Sequence, residues 1–300
     1  MRALVTGATG FIGRRLFSEL DRPVALSRHP ARARASLGSS AEIFGWDPEA
    51  APPPKESLHN IDVVFHLAGE SVGEGRWTPA RKQLLRQSRV LSTRHLVDAL
   101  ASLDTRPQVF VCASAVGYYG DRGDEIVEET APPGHDFLAE LCQAWEAEAA
   151  RARSFGVRVV SIRTGLVLGP SGGALARMLP PFHLGLGGRL GSGRQWMPWI
   201  HLDDLAGLYL HAAEKPGIDG PMNGVAPAPV TNAEFTKTLA AVLHRPAIFP
   251  VPAFALRLAL GEFAGVLLAS QRVAPRVAES TGYRFRYTAL ADALRSATGS

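Results

Sequence analysis

The chain is poor in cysteine, poor in lysine and free of long hydrophobic runs. Its two cysteines, Cys112 and Cys142, are too few for a disulfide framework, so a reducing compartment, the cytoplasm, is the expected setting. No stretch reaches about 18 apolar residues without a charge, so neither a transmembrane helix nor a membrane partner is expected. The N-terminal MRALVTGATGFIGRRL passes from one Arg through a short apolar run into glycines. It has neither the h-region nor the small-residue cleavage site of a secretory signal. No His/Cys cluster has zinc spacing, so no metal is expected. Only Lys55, Lys82, Lys215 and Lys237 among the 32 basic residues are lysines. The arginines are scattered, with acids between many of them. The sequence pI of 9.3 therefore reflects a diffuse excess. That is a weak basis for nucleic-acid binding, which is not expected, and at least as compatible with an anionic small molecule.

At 46% hydrophobic and 20% charged residues, the 300-residue chain is far from the composition of a disordered segment. Short apolar runs at 3–5, 24–26, 61–67, 109–112 and 157–162 lack strict alternation. Such runs suit strands buried on both faces, as in a parallel sheet. Between them lie helical patterns, chiefly at 11–20, 79–103 and 136–155, with Thr78 as N-cap and Pro79 opening the second. Strand and helix in alternation predict a doubly wound, Rossmann-type α/β fold. The five glycines of 185–193 predict a loop. Asp203 or Asp204 is expected to cap a helix over 205–214, and Thr231 or Asn232 another ending near 243. A last apolar helix is expected over 254–268.

Gly7-Ala8-Thr9-Gly10-Phe11-Ile12-Gly13 is GxxGxxG set between a strand and a helix. Gly7 permits the tight turn, Gly10 lets the backbone approach a pyrophosphate, and Gly13 lets helix and strand pack closely. The helix start offers free N–H groups to phosphate, which makes Gly7, Thr9, Gly10, Phe11 and Ile12 the expected phosphate-loop contacts. The end of the second strand selects the dinucleotide. NAD-binding folds commonly place Asp or Glu there; this chain has Ser27 and Arg28, with no acid before Glu42. A guanidinium at Arg28 pairs with a 2′-phosphate and stacks on adenine, and Arg14 and Arg32 add charge. NADP(H) is the expected cofactor. Residues 1–168, with 201–216 returning to them, are expected to form its domain. Residues 169–200 and 217–300 are expected to form a smaller, partly helical substrate-side region.

TGATGFIG at 6–13 resembles the extended and atypical short-chain dehydrogenase/reductase superfamily. HLAGE at 66–70, RW at 76–77, SR at 88–89, GYYGDRGDE at 117–125 and WE at 145–146 narrow the resemblance to its epimerase-like, SDR39U1-type branch, in the NAD-dependent epimerase/dehydratase family. RTGLVLG at 163–169, PWIHLDDLAG at 198–207 and NGVAPAPVTNAEF at 223–235 extend it over essentially the whole chain. The resemblance implies that Leu67, Ala68 and Gly69 run along adenine and ribose, that Glu70 follows them into the cleft, and that Arg89 is a further cofactor contact. It implies that Thr164, Gly165 and Val167 lie near the nicotinamide.

The pattern breaks at the catalytic helix. The superfamily carries Tyr-x-x-x-Lys there, two side chains on one helical face in which the ammonium lowers the phenol pKa. Here the helix reads FLAELCQAWE over 137–146, without Tyr or Lys; the two positions fall near Leu138 and Cys142. Ser114 fits the superfamily serine, and Tyr118 and Tyr119 are the nearby phenols. Ser114, Tyr119 and Glu70 are the candidates for acid–base work, with His201 a further polar group and Trp77, Trp196, Met197 and Trp199 candidate pocket walls. The expected function is an NADP(H)-dependent oxidoreductase or epimerase-like enzyme acting on a small molecule, as a monomer or homodimer. The rival reading is a weakly active or inactive NADP(H)-binding sensor or scaffold.

Overall fold

The computed structural model describes residues 1–38, 41–170 and 172–300. From the N-terminus the chain runs β1 (Ala3–Thr6), α1 (Phe11–Phe17), β2 (Val24–Ser27), α2 (Pro30–Leu37), β3 (Glu42–Gly45), β4 (Val63–His66), α3 (Pro79–Arg86), a π turn (Gln87–Leu91), α4 (Ser92–Ala101) and β5 (Val109–Ala115). A 3-10 turn (Val116–Tyr119) leads to β6 (Ile126–Val127), α5 (Phe137–Ala150), β7 (Arg158–Thr164), β8 (Leu166–Leu168), α6 (Gly173–His183), β9 (Trp196–Met197), β10 (Trp199–His201), α7 (Leu202–Glu214) and β11 (Gly220–Gly224). The tail holds β12 (Val230–Thr231), α8 (Asn232–Val242), α9 (Ala253–Leu260), α10 (Phe263–Leu268), β13 (Arg272–Val273), α11 (Arg276–Ser280) and α12 (Leu290–Thr298).

Seven strands form one parallel sheet in the order β11–β7–β5–β4–β1–β2–β3. The order reverses between β1 and β4, and the crevice beyond the carboxyl ends of such strands is where doubly wound folds bind ligands. The apolar runs are continuous because both faces are covered. Ala3 and Val5 join α1 and α7 in one core cluster, while Leu4, between them, joins α4 and α5 in the other, following the two-residue period of a strand. A third cluster binds α6, α8 and α12 around Trp199. No helix among the described residues is long and apolar enough to cross a membrane.

Several expectations need correction. The seventh strand, β11, comes from the segment expected on the substrate side; its GPMNG sequence has no apolar run to announce it, yet it pairs with β7 over five residues. Neither Asp203 nor Asp204 caps α7. The helix starts at Leu202, and the His201 Nδ1 accepts from the Asp203 N–H at 3.1 Å. Asp204 is buried and accepts from the backbone N–H groups of Arg286 at 2.7 Å and Tyr287 at 2.9 Å, tying α7 to the tail. The helix expected over 254–268 breaks into α9 and α10 at Gly261, whose φ is +61°. Thr78 caps α3 and Thr231 caps α8, the latter in a capping box with Glu234.

Candidate functional site

The glycine loop closes over the C-terminal end of β1. Gly7 has φ +68°, and a Cβ there would come within 2.8 Å of the Leu67 carbonyl, so the chain leaving β4 passes directly over it. A Cβ at Gly13 would overlap the Gly7 carbonyl oxygen; only glycine lets α1 sit this close to its own turn. Thr9 and Gly10 are exposed, and the Gly10 N–H closes the turn onto the Gly7 carbonyl at 2.9 Å. Phe11 turns its ring onto Gly169, Gly172 and Gly173, joining the loop to the start of α6. The Ile12 side chain packs into the core beside α7.

A relay of hydrogen bonds sets the loop after β4. Thr6 Oγ1 accepts from the N–H groups of Leu67 at 3.2 Å and Ala68 at 3.1 Å, and lies 2.7 Å from His66 Nδ1. His66 Nε2 lies 3.0 Å from Thr93 Oγ1, which donates to the Arg89 carbonyl at 2.6 Å. Because the Thr93 proton is committed, His66 donates through Nε2 and accepts the Thr6 proton at Nδ1. The imidazole is fully buried, and burial pushes its pKa down to about 3. The unfolded chain, with an ordinary pKa near 6.5, binds the extra proton first. Stability is therefore complete above about pH 6.5 and falls as pH drops toward 3. Wild-type protein is expected to lose about 2 kcal/mol more than His66→Gln between pH 7 and 5 in urea unfolding; equal losses would refute the relay.

On the other side of the crevice, Ser27 Oγ accepts from the His29 N–H at 3.1 Å. The half-exposed Arg28 guanidinium donates to Glu70 at 3.3 Å, and the second Glu70 oxygen lies 3.5 Å from Arg81. The Glu70 N–H donates to Ser88 Oγ at 3.1 Å, and Arg89 donates to the Glu70 carbonyl at 2.8 Å while lying against Gly69. Ser88 and Arg89 both belong to the π turn, a widening often found at functional sites. The structure thus groups Glu70 with Arg28 and Arg81, not with Ser114 and Tyr119. Its carboxylate holds the cation expected to select the cofactor, which departs from an acid–base role. Thr164, Gly165 and Val167 sit between β11 and β10. The Gly165 N–H donates to the Gly224 carbonyl at 3.1 Å, a Cβ at Gly165 would strike the Pro198 carbonyl, and Val167 packs on the core.

The remaining acid–base candidates are withdrawn from the crevice. Ser114 is 4% exposed, and its hydroxyl donates to Glu146 at 2.6 Å. Glu146 is gripped by Arg163 through two N–H···O bonds of 2.9 and 2.8 Å. Arg163 also donates to the Tyr119 hydroxyl and to the Glu129 carbonyl, each at 3.0 Å. Burial works against the Arg163 charge, but the Glu146 carboxylate outweighs it and holds the guanidinium above its ordinary pKa. Tyr119 is fully buried and gives its own proton to Asn223 Oδ1 at 2.7 Å. Burial pushes its pKa up to about 12. With donor and acceptor both engaged, Tyr119 is a structural phenol, contrary to the expectation. Tyr118 stacks on Arg163, whose guanidinium carbon lies 3.4 Å from the ring centroid. Glu129, Glu146, Arg163 and Asn223 escape a reading of local motifs because they meet only through the tertiary fold. Glu146, Arg163 and Asn223 stand in the motifs WE, RTGLVLG and NGVAPAPVTNAEF, but nothing local shows that they meet, and Glu129 stands in none of them.

On α5, Leu138 packs onto Gly117, and Cys142 donates weakly to the Ala115 carbonyl at 3.7 Å. Both places expected for Tyr and Lys therefore face the end of β5, filled by groups without proton-transfer capacity at neutral pH. Burial pushes the Cys142 thiol up to about 11. Trp77 stands edge-on to Phe137, 5.2 Å between centroids, and near Phe263 at 5.6 Å, forming an aromatic wall between α5 and α10. Trp199 lies in the core. Trp196 lies under Arg272 at 4.5 Å and donates to Asp124 at 2.8 Å. His201, the α7 cap, stacks on Tyr287 at 3.8 Å. No group of His, Cys, Asp and Glu among the described residues is arranged to hold a metal ion.

Residues 251–297 match a domain of unknown function, DUF1731. An epimerase family protein SDR39U1 homolog of Arabidopsis thaliana, described as chloroplastic, is 42% identical over 99% of this chain and 86% of its own length. Epimerase family protein MT2273 of Mycobacterium tuberculosis is 41% identical over 98% of this chain and 96% of its own. The crystal structure of human epimerase family protein SDR39U1 with NADPH superposes with a TM-score of 0.90 at 37% identity, covering 100% of this chain and 99% of that one. Residues 3–223, from the first strand to the last strand of the sheet, match the NAD dependent epimerase/dehydratase family, and to that family the chain belongs.

Proposed function

We propose that the chain binds NADP(H) and exchanges hydride with the carbonyl or carbinol carbon of a small organic substrate. The observation that carries the reading is the glycine cradle, closed by Gly7 and Gly13, beside an exposed Arg28 on a strand end without a carboxylate. The human relative solved with NADPH supports the same choice of dinucleotide. In this reading the backbone of Gly7, Thr9, Gly10, Phe11 and Ile12 holds the pyrophosphate. Ser27 and Arg28, with the exposed Arg14 and Arg32 nearby, receive the 2′-phosphate. Leu67, Ala68 and Gly69 flank adenine and ribose, Glu70 and Arg89 set that loop and Arg28, and Thr164, Gly165 and Val167 border the nicotinamide. The bound dinucleotide supplies the hydride; the protein supplies placement and electrostatics. Residues 1–168 and 201–224 form the dinucleotide-binding part, and 169–200 with 225–300 cover its substrate side. The buried free thiols of Cys112 and Cys142 suit a reducing compartment, the cytoplasm.

A second reading, a redox-sensing or scaffolding protein that binds NADP(H) without turnover, is favoured by the places of Leu138 and Cys142 and by the engaged hydroxyls of Ser114 and Tyr119. The deciding experiment is a thermal unfolding titration with NADPH and separately with NADH, followed by carbonyl compounds added to the NADPH complex. NADPH at a hundredfold excess over Kd is expected to stabilise by about 2.7 kcal/mol, NADH by much less. No response to either nucleotide would overturn both readings. Binding without NADPH oxidation across a broad carbonyl series would select the second.

A further inference from the structure

Two stretches of the chain, 169–202 and 235–261, contain no Asp or Glu and carry Arg177, Arg189, Arg194, Lys237, Arg245 and Arg257. Six of the nine large apolar side chains exposed among the described residues lie in the same two stretches: Leu184, Leu186, Ile248, Phe249, Phe254 and Leu258. The fold brings the stretches together. The Phe249 N–H donates to the Gly187 carbonyl at 3.2 Å, Val251 to Arg189 at 2.9 Å, and Gly191 back to Val251 at 2.8 Å. Between this pairing and α8 runs an open groove of about 850 Å³. Arg189, Lys237, His244 and Arg245 line it, together with alanines, prolines and Ile248, and no acidic residue does. Arg189, Lys237 and Arg245 form no ion pair among the described residues.

We infer that this face docks on the surface of a bilayer containing anionic phospholipid. Large exposed apolar patches rimmed by polar groups mark interaction surfaces. Leu184, Ile248, Phe254 and Leu258 are each more than 70% exposed; Leu184, Phe254 and Leu258 project beyond the surface without lining the groove, and Ile248 lines it while remaining exposed. A fluid acyl phase receives projecting side chains of this kind, whereas a folded partner would need matching cavities. The unpaired cations beside them complement headgroup phosphates, each contributing near the surface of an anionic leaflet. The chain then lies on the bilayer without crossing it. The expectation of no membrane partner rested on the lack of a spanning run, which says nothing about a face assembled from two distant segments.

The test is co-sedimentation of the full chain with phosphatidylcholine vesicles and with vesicles in which roughly a third of the lipid is phosphatidylglycerol. Binding is expected only to the second, and is expected to weaken steeply as salt rises. Lys237→Gln with Arg245→Gln is expected to lower partitioning about 25-fold, two cations at roughly fivefold each. Ile248→Ser with Phe249→Ser is expected to lower it about tenfold. Both pairs are exposed, so melting temperature and NADPH titration should match wild type. Absence from the anionic vesicles, or equal binding by the variants, would overturn the inference. So would binding of an acidic amphipathic peptide in solution without vesicle binding, which would assign the face to a protein partner.

Discussion

Replacing Arg163 with Met is expected to lower the stability of the fold by about 3 kcal/mol, because it leaves the part-buried Glu146 carboxylate, 16% exposed, without its partner. Arg163 is 3% exposed and satisfies Glu146 in bidentate fashion while also serving Tyr119 and the Glu129 carbonyl. Its removal takes a donor from all three acceptors at once and leaves Glu146 only the Ser114 hydroxyl. The double variant Arg163→Met, Glu146→Met tests the cause. It removes both charges and is expected to recover much of the loss, since a buried ion pair replaced by apolar groups of similar volume is often close to neutral. Urea unfolding of the two single variants and the double variant closes the cycle. If the double variant loses the sum of the two single losses, the pair is not coupled and the network account fails.

Arg28→Ala is expected to weaken NADPH binding on the order of 10-fold to 100-fold, as for a charge-assisted contact worth about 1.5–3 kcal/mol. The loss should be largest at low salt, because the guanidinium is 56% exposed and such charges are screened. NADH, lacking the 2′-phosphate, should respond little. Fluorescence titration of both nucleotides at two salt concentrations measures the difference. Equal losses for NADPH and NADH would assign Arg28 to adenine stacking or loop structure instead. Glu70 gives an internal comparison. Because it holds Arg28 at 3.3 Å and sits 3.5 Å from Arg81, Glu70→Gln should perturb NADPH binding less than loss of the guanidinium itself.

The sheet and the glycine loop were legible because their causes are local. A doubly buried strand needs an uninterrupted apolar run, and a tight turn over a neighbouring strand needs Gly7. What was not legible depends on contacts between distant segments. Ser114 and Tyr119 read as cleft residues from their place at and just beyond the end of β5. Their hydroxyls are instead claimed by Glu146, 32 positions beyond Ser114, and by Asn223, 104 positions beyond Tyr119. Nothing in the spacing shows which way a polar side chain turns once a distant partner is available. β11 was missed because an edge strand need not be apolar throughout. Asp203 and Asp204 looked like caps by composition, and the cap passed to His201 because Asp204 is drawn inward by backbone donors from the tail.

The close fit of Leu138 against Gly117 limits what this helix can carry. A tyrosine at 138 would have to displace the contact that now seals α5 to the 3-10 turn, where a Cβ on Gly117 would already stand 3.1 Å from Leu138. A lysine at 142 would bring an ammonium into a site that is 3% exposed, where burial opposes its charge even though the field of Glu146 outweighs that of Arg89. Neither change gains anything without the other, and each alone damages the packing. Placing a phenol and an ammonium on this helix therefore also requires opening its contacts with Gly117 and with the Ala115 carbonyl.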